Sequence, residues 1–197
     1  FTGSNATAVG SGAADSATSA TFLTAIGKQA LQNLDGGAEN TAVGYQSLYT
    51  DVSGTHNAAL GAYSGYSTTG NRNTSLGTAA GIYTTSTDDC IAIGFGALSG
   101  VSDYGDYTKG ADVTGNQNIA IGNYCLDAVT SGAQNVAIGH NSLSAVATTS
   151  NNTAVGTSSG FKVTHGNNTL IGHQAGYYAT SITECVAIGV NALIGDG

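Results

Sequence analysis

Proline, methionine and tryptophan are absent from this chain of 197 residues, and charge is scarce. Four Lys and Arg stand against twelve Asp and Glu, a formal net charge of −8. Binding to a phosphate backbone requires clustered basic side chains, so nucleic acid is excluded as a partner. No apolar run approaches the ~20 residues that span a bilayer as a helix. The first residues, Phe1-Thr2-Gly3-Ser4-Asn5, lack the basic start and apolar block of a signal peptide. Low charge with much Gly, Ser, Thr and Asn is a composition shared with disordered chains. Here, however, 41% of the residues are hydrophobic and they fall at fixed positions, which a disordered chain does not maintain.

What is present is a repeat. Asn40-Thr41-Ala42-Val43-Gly44 recurs as Asn57 to Gly61, Asn73 to Gly77, Asn118 to Gly122, Asn135 to Gly139, Asn152 to Gly156 and Asn168 to Gly172. Cys90 to Gly94 and Cys185 to Gly189 keep the pattern with Cys in place of Asn. Aligned on the closing glycine, the positions are 10, 27, 44, 61, 77, 94, 122, 139, 156, 172 and 189. All spacings are 16 or 17 except one of 28, which is a 17-residue unit plus 11 inserted residues. A fixed period of this kind predicts a solenoid with one coil per repeat. The expectation is an all-β parallel β-solenoid of about eleven 17-residue coils. It forms a single domain over residues 1–197, with an insertion within 99–115. At ~4.8 Å per coil the rod would be near 50 Å long. Both ends stop within the repeat, so the chain is expected to be an excerpt of a longer fibrous protein.

The residue before the glycine is aliphatic in every repeat, and the residue three before it is β-branched except at Ala58. Between them sits Ala in nine of eleven repeats, with Ser75 and Leu170 the exceptions. This predicts a strand of about five residues. Side chains alternate along a strand, so the aliphatic and Thr/Ile/Val columns share one face and the Ala column takes the other. The aliphatic face is expected to line the interior. For the Ala face two readings remain: the solenoid's own second wall covers it, or it packs against other copies around an axis. The second is the expectation, with Ala42, Ala59, Ala92, Ala120, Ala137, Ala154 and Ala187 as the interface of a homotrimer.

After the glycine, the fourth place is Leu or Gly. Where it is Gly, a bulky residue follows, as in Gly65-Tyr66, Gly81-Ile82, Gly160-Phe161 and Gly176-Tyr177. Leu and the shifted bulky residue are expected to fill one core volume. A second, more polar strand is expected at segments such as Val129-Thr130-Ser131 and Ala147-Thr148-Thr149. The column Asn40, Asn57, Asn73, Asn118, Asn135, Asn152 and Asn168 is expected to stack as an amide ladder.

The string Asn-(Thr/Val/Ile)-Ala-(Val/Ile)-Gly resembles the head repeats of trimeric autotransporter adhesins, the YadA-like haemagglutinin-type repeats. It is closer still to related repeats of phage and viral tail fibres, where strings like Asn40 to Leu48 and Asn168 to Tyr177 are common. The resemblance runs from about Ala6 to Leu193. It implies a left-handed parallel β-roll, three chains side by side, an extracellular, virion or cell-surface location, and attachment to a host glycan or protein. The 17-residue period departs from the shorter coil of the adhesin heads. An extracellular filament or sheath without a receptor is the alternative.

Chemistry-bearing motifs are few. Val43-Gly44-Tyr45-Gln46-Ser47 fits the hexapeptide of acyltransferase β-helices, but occurs once per coil rather than three times. His56, His140, His165 and His173 lack a fixed acidic neighbour in sequence. His140 and His173 share a column two coils apart, roughly 9.5 Å, too far to share a metal at ~2 Å bonds. Cys90 and Cys185 lie five coils apart, some 24 Å, beyond the ~7 Å reach of a disulfide. No catalytic residue, metal or cofactor is expected. In the insertion, Asp103, Tyr104, Asp106, Tyr107, Lys109 and Asp112 form a candidate binding loop suited to a sugar or Ca²⁺. Ice binding by the Thr column is weighed and set low, because that column is broken and is expected to face inwards.

Overall fold

The computed structural model describes residues 5–51, 53–100 and 110–194. Its regular structure is eleven strands of three residues each. They are β1 Thr7–Val9, β2 Thr24–Ile26, β3 Thr41–Val43, β4 Ala58–Leu60, β5 Thr74–Leu76 and β6 Ile91–Ile93. The series continues with β7 Ile119–Ile121, β8 Val136–Ile138, β9 Thr153–Val155, β10 Thr169–Ile171 and β11 Val186–Ile188. All belong to one parallel sheet in sequence order. Repeat positions pair with themselves: Ala42 faces Ala59 and Ile121 faces Ile138 across the ladder. Ile91 pairs directly with Ile119, so the long repeat is one coil carrying an insertion. The chain returns to the stack where Ala111 N–H donates to Gly100 O and Val113 N–H to Tyr83 O, each at 2.8 Å.

Two backbone features hold each strand to three residues. Five places before the glycine stands a non-glycine residue in left-handed conformation, for example Glu39, His56, Arg72 and Gln134, with φ between 58 and 61°. The closing glycine itself has φ near +130°, a region L side chains rarely enter. At Gly122, φ is +136° and a Cβ would lie 2.6 Å from the carbonyl oxygen of Gly139. The glycine column is thus fixed twice, by conformation and by the next coil's backbone.

The sheet is single. No second strand forms at Val129-Thr130-Ser131 or Ala147-Thr148-Thr149. Those segments are bends and turns tied between coils by bonds such as Thr130 N–H to Ala147 O, 2.8 Å. The coil therefore closes with one flat wall and an irregular arc.

The orientation of that wall reverses the expectation. From β2 to β11 the outer two residues face out and the middle one is buried, whereas in β1 all three are exposed. Ala25, Ala42, Ala120, Ala137 and Ala154 have no exposed surface, and Ala59, Ala92 and Ala187 are buried. Leu60 is 49% and Leu76 40% exposed. The reason is volume. The interior is already filled by Leu48, Leu98, Leu126 and Leu143 from the arc, and by Val129, Val146 and Val163 further on. Opposite such side chains a narrow coil has room only for a methyl group. Where Leu170 replaces the alanine, glycines replace leucine on its own coil and on the preceding one: a Cβ on Gly160 would sit 2.8 Å from a Leu170 methyl, and one on Gly176 3.0 Å.

The bulky residues after those glycines do not take the leucine's place. Tyr66, Phe161 and Tyr177 are only half-buried, and stack on neighbours at the surface instead. Ile82 alone of the four is fully buried.

Candidate functional site: the outer face of the sheet

The outward columns form one continuous strip. The first is Thr7, Thr24, Thr41, Ala58, Thr74, Ile91, Ile119, Val136, Thr153, Thr169 and Val186; the second is the aliphatic residue before each glycine. Every side chain in both columns is exposed or half-exposed. None carries a charge. Over β6 to β8 the strip is wholly aliphatic: Ile91, Ile93, Ile119, Ile121, Val136 and Ile138.

The interior behind it is a polar scaffold as well as an apolar one. The asparagine column is buried throughout. Asn135 Oδ1 accepts the backbone N–H of Asn152 at 3.0 Å, while its amide donates to Thr149 O at 3.0 Å and to Asn118 Oδ1 at 3.2 Å. The same arrangement joins Asn40 to Asn57 and Asn57 to Asn73. At the break, Cys90 N–H donates to Asn73 Oδ1 at 3.0 Å, and Cys90 Sγ accepts Asn118 N–H at 3.4 Å. A second set of bonds between coils has no counterpart in the sequence reading: where the residue three places after the glycine is Ser or Cys (Ser47, Ser64, Cys125, Ser142 and Ser159), it donates to the strand carbonyl of the next coil. Ser142 Oγ reaches Ala154 O at 3.2 Å and Ser159 Oγ reaches Leu170 O at 2.9 Å. The invariably small residue at that place was the only signal of it. These bonds satisfy groups that a water-free coil would otherwise strand.

The alanines expected to join chains are covered by their own coil. Ala42, Ala59, Ala92, Ala120, Ala137, Ala154 and Ala187 therefore form no interface between chains; the surface available for that is the opposite one. In the insertion, Asp103, Tyr104, Asp106, Tyr107 and Lys109 lie outside the described residues, and Asp112 is exposed.

Titratable groups are dispersed. All four histidines are exposed. His56 does meet an acid, Glu39, at 3.2 Å, but on the neighbouring coil and in solvent. Arg72 pairs with Asp89 at 2.6 Å, also in solvent. Among the described residues no three His, Cys, Asp or Glu are grouped to hold a metal ion, and no enclosed pocket is present. No helix among them is long and apolar enough to cross a membrane. Cys90, Cys125 and Cys185 are unbridged. Burial pushes the Cys125 thiol up to about 12, and its Sγ is 3.0 Å from Ala137 O. Asp51 occupies the core position held by Leu34 one coil earlier and Thr68 one coil later, with no exposed surface. Desolvation pushes its carboxyl up to about 6, opposed by the Gly54 N–H that donates to Oδ1 at 2.6 Å.

No family model, curated protein or solved structure matches this chain.

Proposed function

We propose that this chain is a structural and adhesive fibre segment. It assembles with two further copies through the outer face of its sheet and serves attachment to a host surface from a virion or cell exterior. The observation that carries the reading is the uncharged strip of outward Val, Ile and Leu beside each glycine. Burying a half-exposed aliphatic side chain recovers on the order of 1 kcal/mol. Repeated on successive coils, that favours association far more than any single contact. Three-fold packing and the fibre role follow from the resemblance of Asn-(Thr/Val/Ile)-Ala-(Val/Ile)-Gly to YadA-like heads and tail-fibre repeats.

Light scattering on the purified protein tests the assembly. The parent is expected at three chain masses. Ile121→Glu with Ile138→Glu places several carboxylates in the joint, uncompensated and desolvated, and should give monomers. A monomeric parent, or an unchanged mass in the variant, overturns the proposal. End-to-end polymers without attachment would instead favour a filament.

One observation favours a second reading. Thr7, Thr24, Thr41 and Thr74 stand outward beside Val9, Ile26, Val43 and Leu76, a two-column array of the kind that orders water on ice. Ala58 breaks it between Thr41 and Thr74, and Ile91, Ile119, Val136 and Val186 interrupt the column further on. Thermal hysteresis in the monomeric variant, or its absence, decides this reading.

A further inference from the structure

Two aromatic clusters, each containing a stacked pair at the same repeat position, stand on the arc that follows the glycine column. In the first, Tyr49 and Tyr66 occupy one repeat position on consecutive coils, their ring centres 5.1 Å apart and their planes 13° from parallel. Tyr63 leans on Tyr66 and meets Tyr45 edge-on at 5.1 Å. Lys28 Nζ lies 5.8 Å from the centre of the Tyr45 ring. In the second cluster Phe161 and Tyr177 repeat the stack at that same repeat position, 5.0 Å apart and 17° from parallel. Tyr178 meets Tyr177 edge-on at 4.5 Å, and Lys162 Nζ lies 4.7 Å from the Tyr178 ring centre. Two of the chain's four Lys and Arg are thus placed over tyrosines of these clusters.

In each cluster one ring is presented to solvent: Tyr45 is 38% and Tyr178 42% exposed. Tyr63 packed against Tyr45, and Tyr177 of the stacked pair packed against Tyr178, restrain these rings and reduce the side-chain entropy to be lost on binding. A tyrosine offers an apolar face and a hydroxyl, and the lysine beside it adds a cationic donor. A pyranose presents the matching chemistry, a C–H face rimmed by hydroxyls. A compact ligand finds no enclosed pocket among the described residues, whereas two platforms along one rod suit an extended chain. The exposed rings are seven coils apart, roughly 34 Å along the rod at ~4.8 Å per coil, Tyr45 standing one place and Tyr178 six places after its glycine. The net charge of −8 repels a densely acidic polymer.

We propose that the Tyr45 and Tyr178 clusters are two platforms of one binding surface for an extended polysaccharide, neutral or sparsely acidic. The proposal rests on the attachment reading above and names the surface that would carry it. With no tryptophan in the chain, protein emission comes from ten tyrosines, six of which stand in these clusters. The assembled protein is titrated with chitohexaose, laminarihexaose and a hyaluronan octasaccharide, by emission and by calorimetry. At least one is expected to bind saturably. Tyr45→Ala with Tyr178→Ala should then weaken it at least tenfold, while Tyr45→Phe with Tyr178→Phe, which keeps the rings, should retain most of it. If none of the three sugars binds, or the alanine variant binds as the parent does, the proposal is overturned. Binding of a proline-rich peptide in place of all three overturns it as well. Light scattering on the same variants keeps the two proposals apart: lost sugar binding with unchanged mass bears on the platforms alone.

Discussion

Leu170 occupies the space that Gly160 vacates: a Cβ on that glycine would stand 2.8 Å from the Leu170 Cδ1. One coil's wall and the previous coil's arc are therefore sized to each other. Leu170→Ala should cost about 2–4 kcal/mol through the cavity it opens. Gly160→Leu alone should also destabilise, by collision. The pair together should be more stable than Gly160→Leu alone, since it relieves the collision with Leu170 and leaves only the one with Leu143 Cδ2, also at 2.8 Å. Denaturation midpoints of the four proteins check this; additive losses would show that the two sites do not couple.

The Asn135 side chain serves four hydrogen bonds from a position with no exposed surface. Asn135→Ala leaves the Asn152 N–H and the Thr149 carbonyl without their partner and should cost roughly 2–4 kcal/mol, the desolvation penalty of two buried groups. Amide exchange at Asn152 should quicken more than at amides several coils away. Uniform acceleration along the rod would contradict a local ladder.

Asp51 makes stability depend on pH. Its folded value, about 6, lies above the ordinary 3.8, so the folded chain binds this proton more tightly than the unfolded one. Stability is full below pH ~4 and declines as pH rises through 6, a loss of about 3 kcal/mol from this group. Asp51→Asn keeps an acceptor for the Gly54 N–H and removes the charge. It should raise the melting temperature at pH 7 and leave it nearly unchanged at pH 4. Equal gains at both pH values would mean that the carboxylate is not the cause.

The Cys125 thiol, held at about 12 by burial, should resist alkylation at pH 8 in the folded protein and react at once in denaturant. Peptide mass mapping after iodoacetamide treatment reads this directly. Modification of Cys125 without unfolding would show that the coil opens there.

Much of this was legible without coordinates. The glycine spacing located all eleven strands and identified the 28-residue interval as one enlarged coil, because a solenoid repeats its backbone as strictly as its sequence. Alternation also told which columns share a face: Asn135, Ala137 and Gly139 on one, Val136 and Ile138 on the other. It did not tell which face is inside. Hydrophobicity pointed to the aliphatic side, and the coil turned the other way. One clue was available, since an asparagine ladder that is to keep its hydrogen bonds must be shielded from water, and the alanine two residues on must follow it inwards. What settled the matter was closure of the arc. Leu143 and Val146, four and seven places past the glycine, fill the narrow interior and leave room for a methyl group only. That volume balance exists between segments brought together in three dimensions, so the strand could not reveal it alone. The period and the pairing are properties of the repeat; inside and outside are properties of the closed coil.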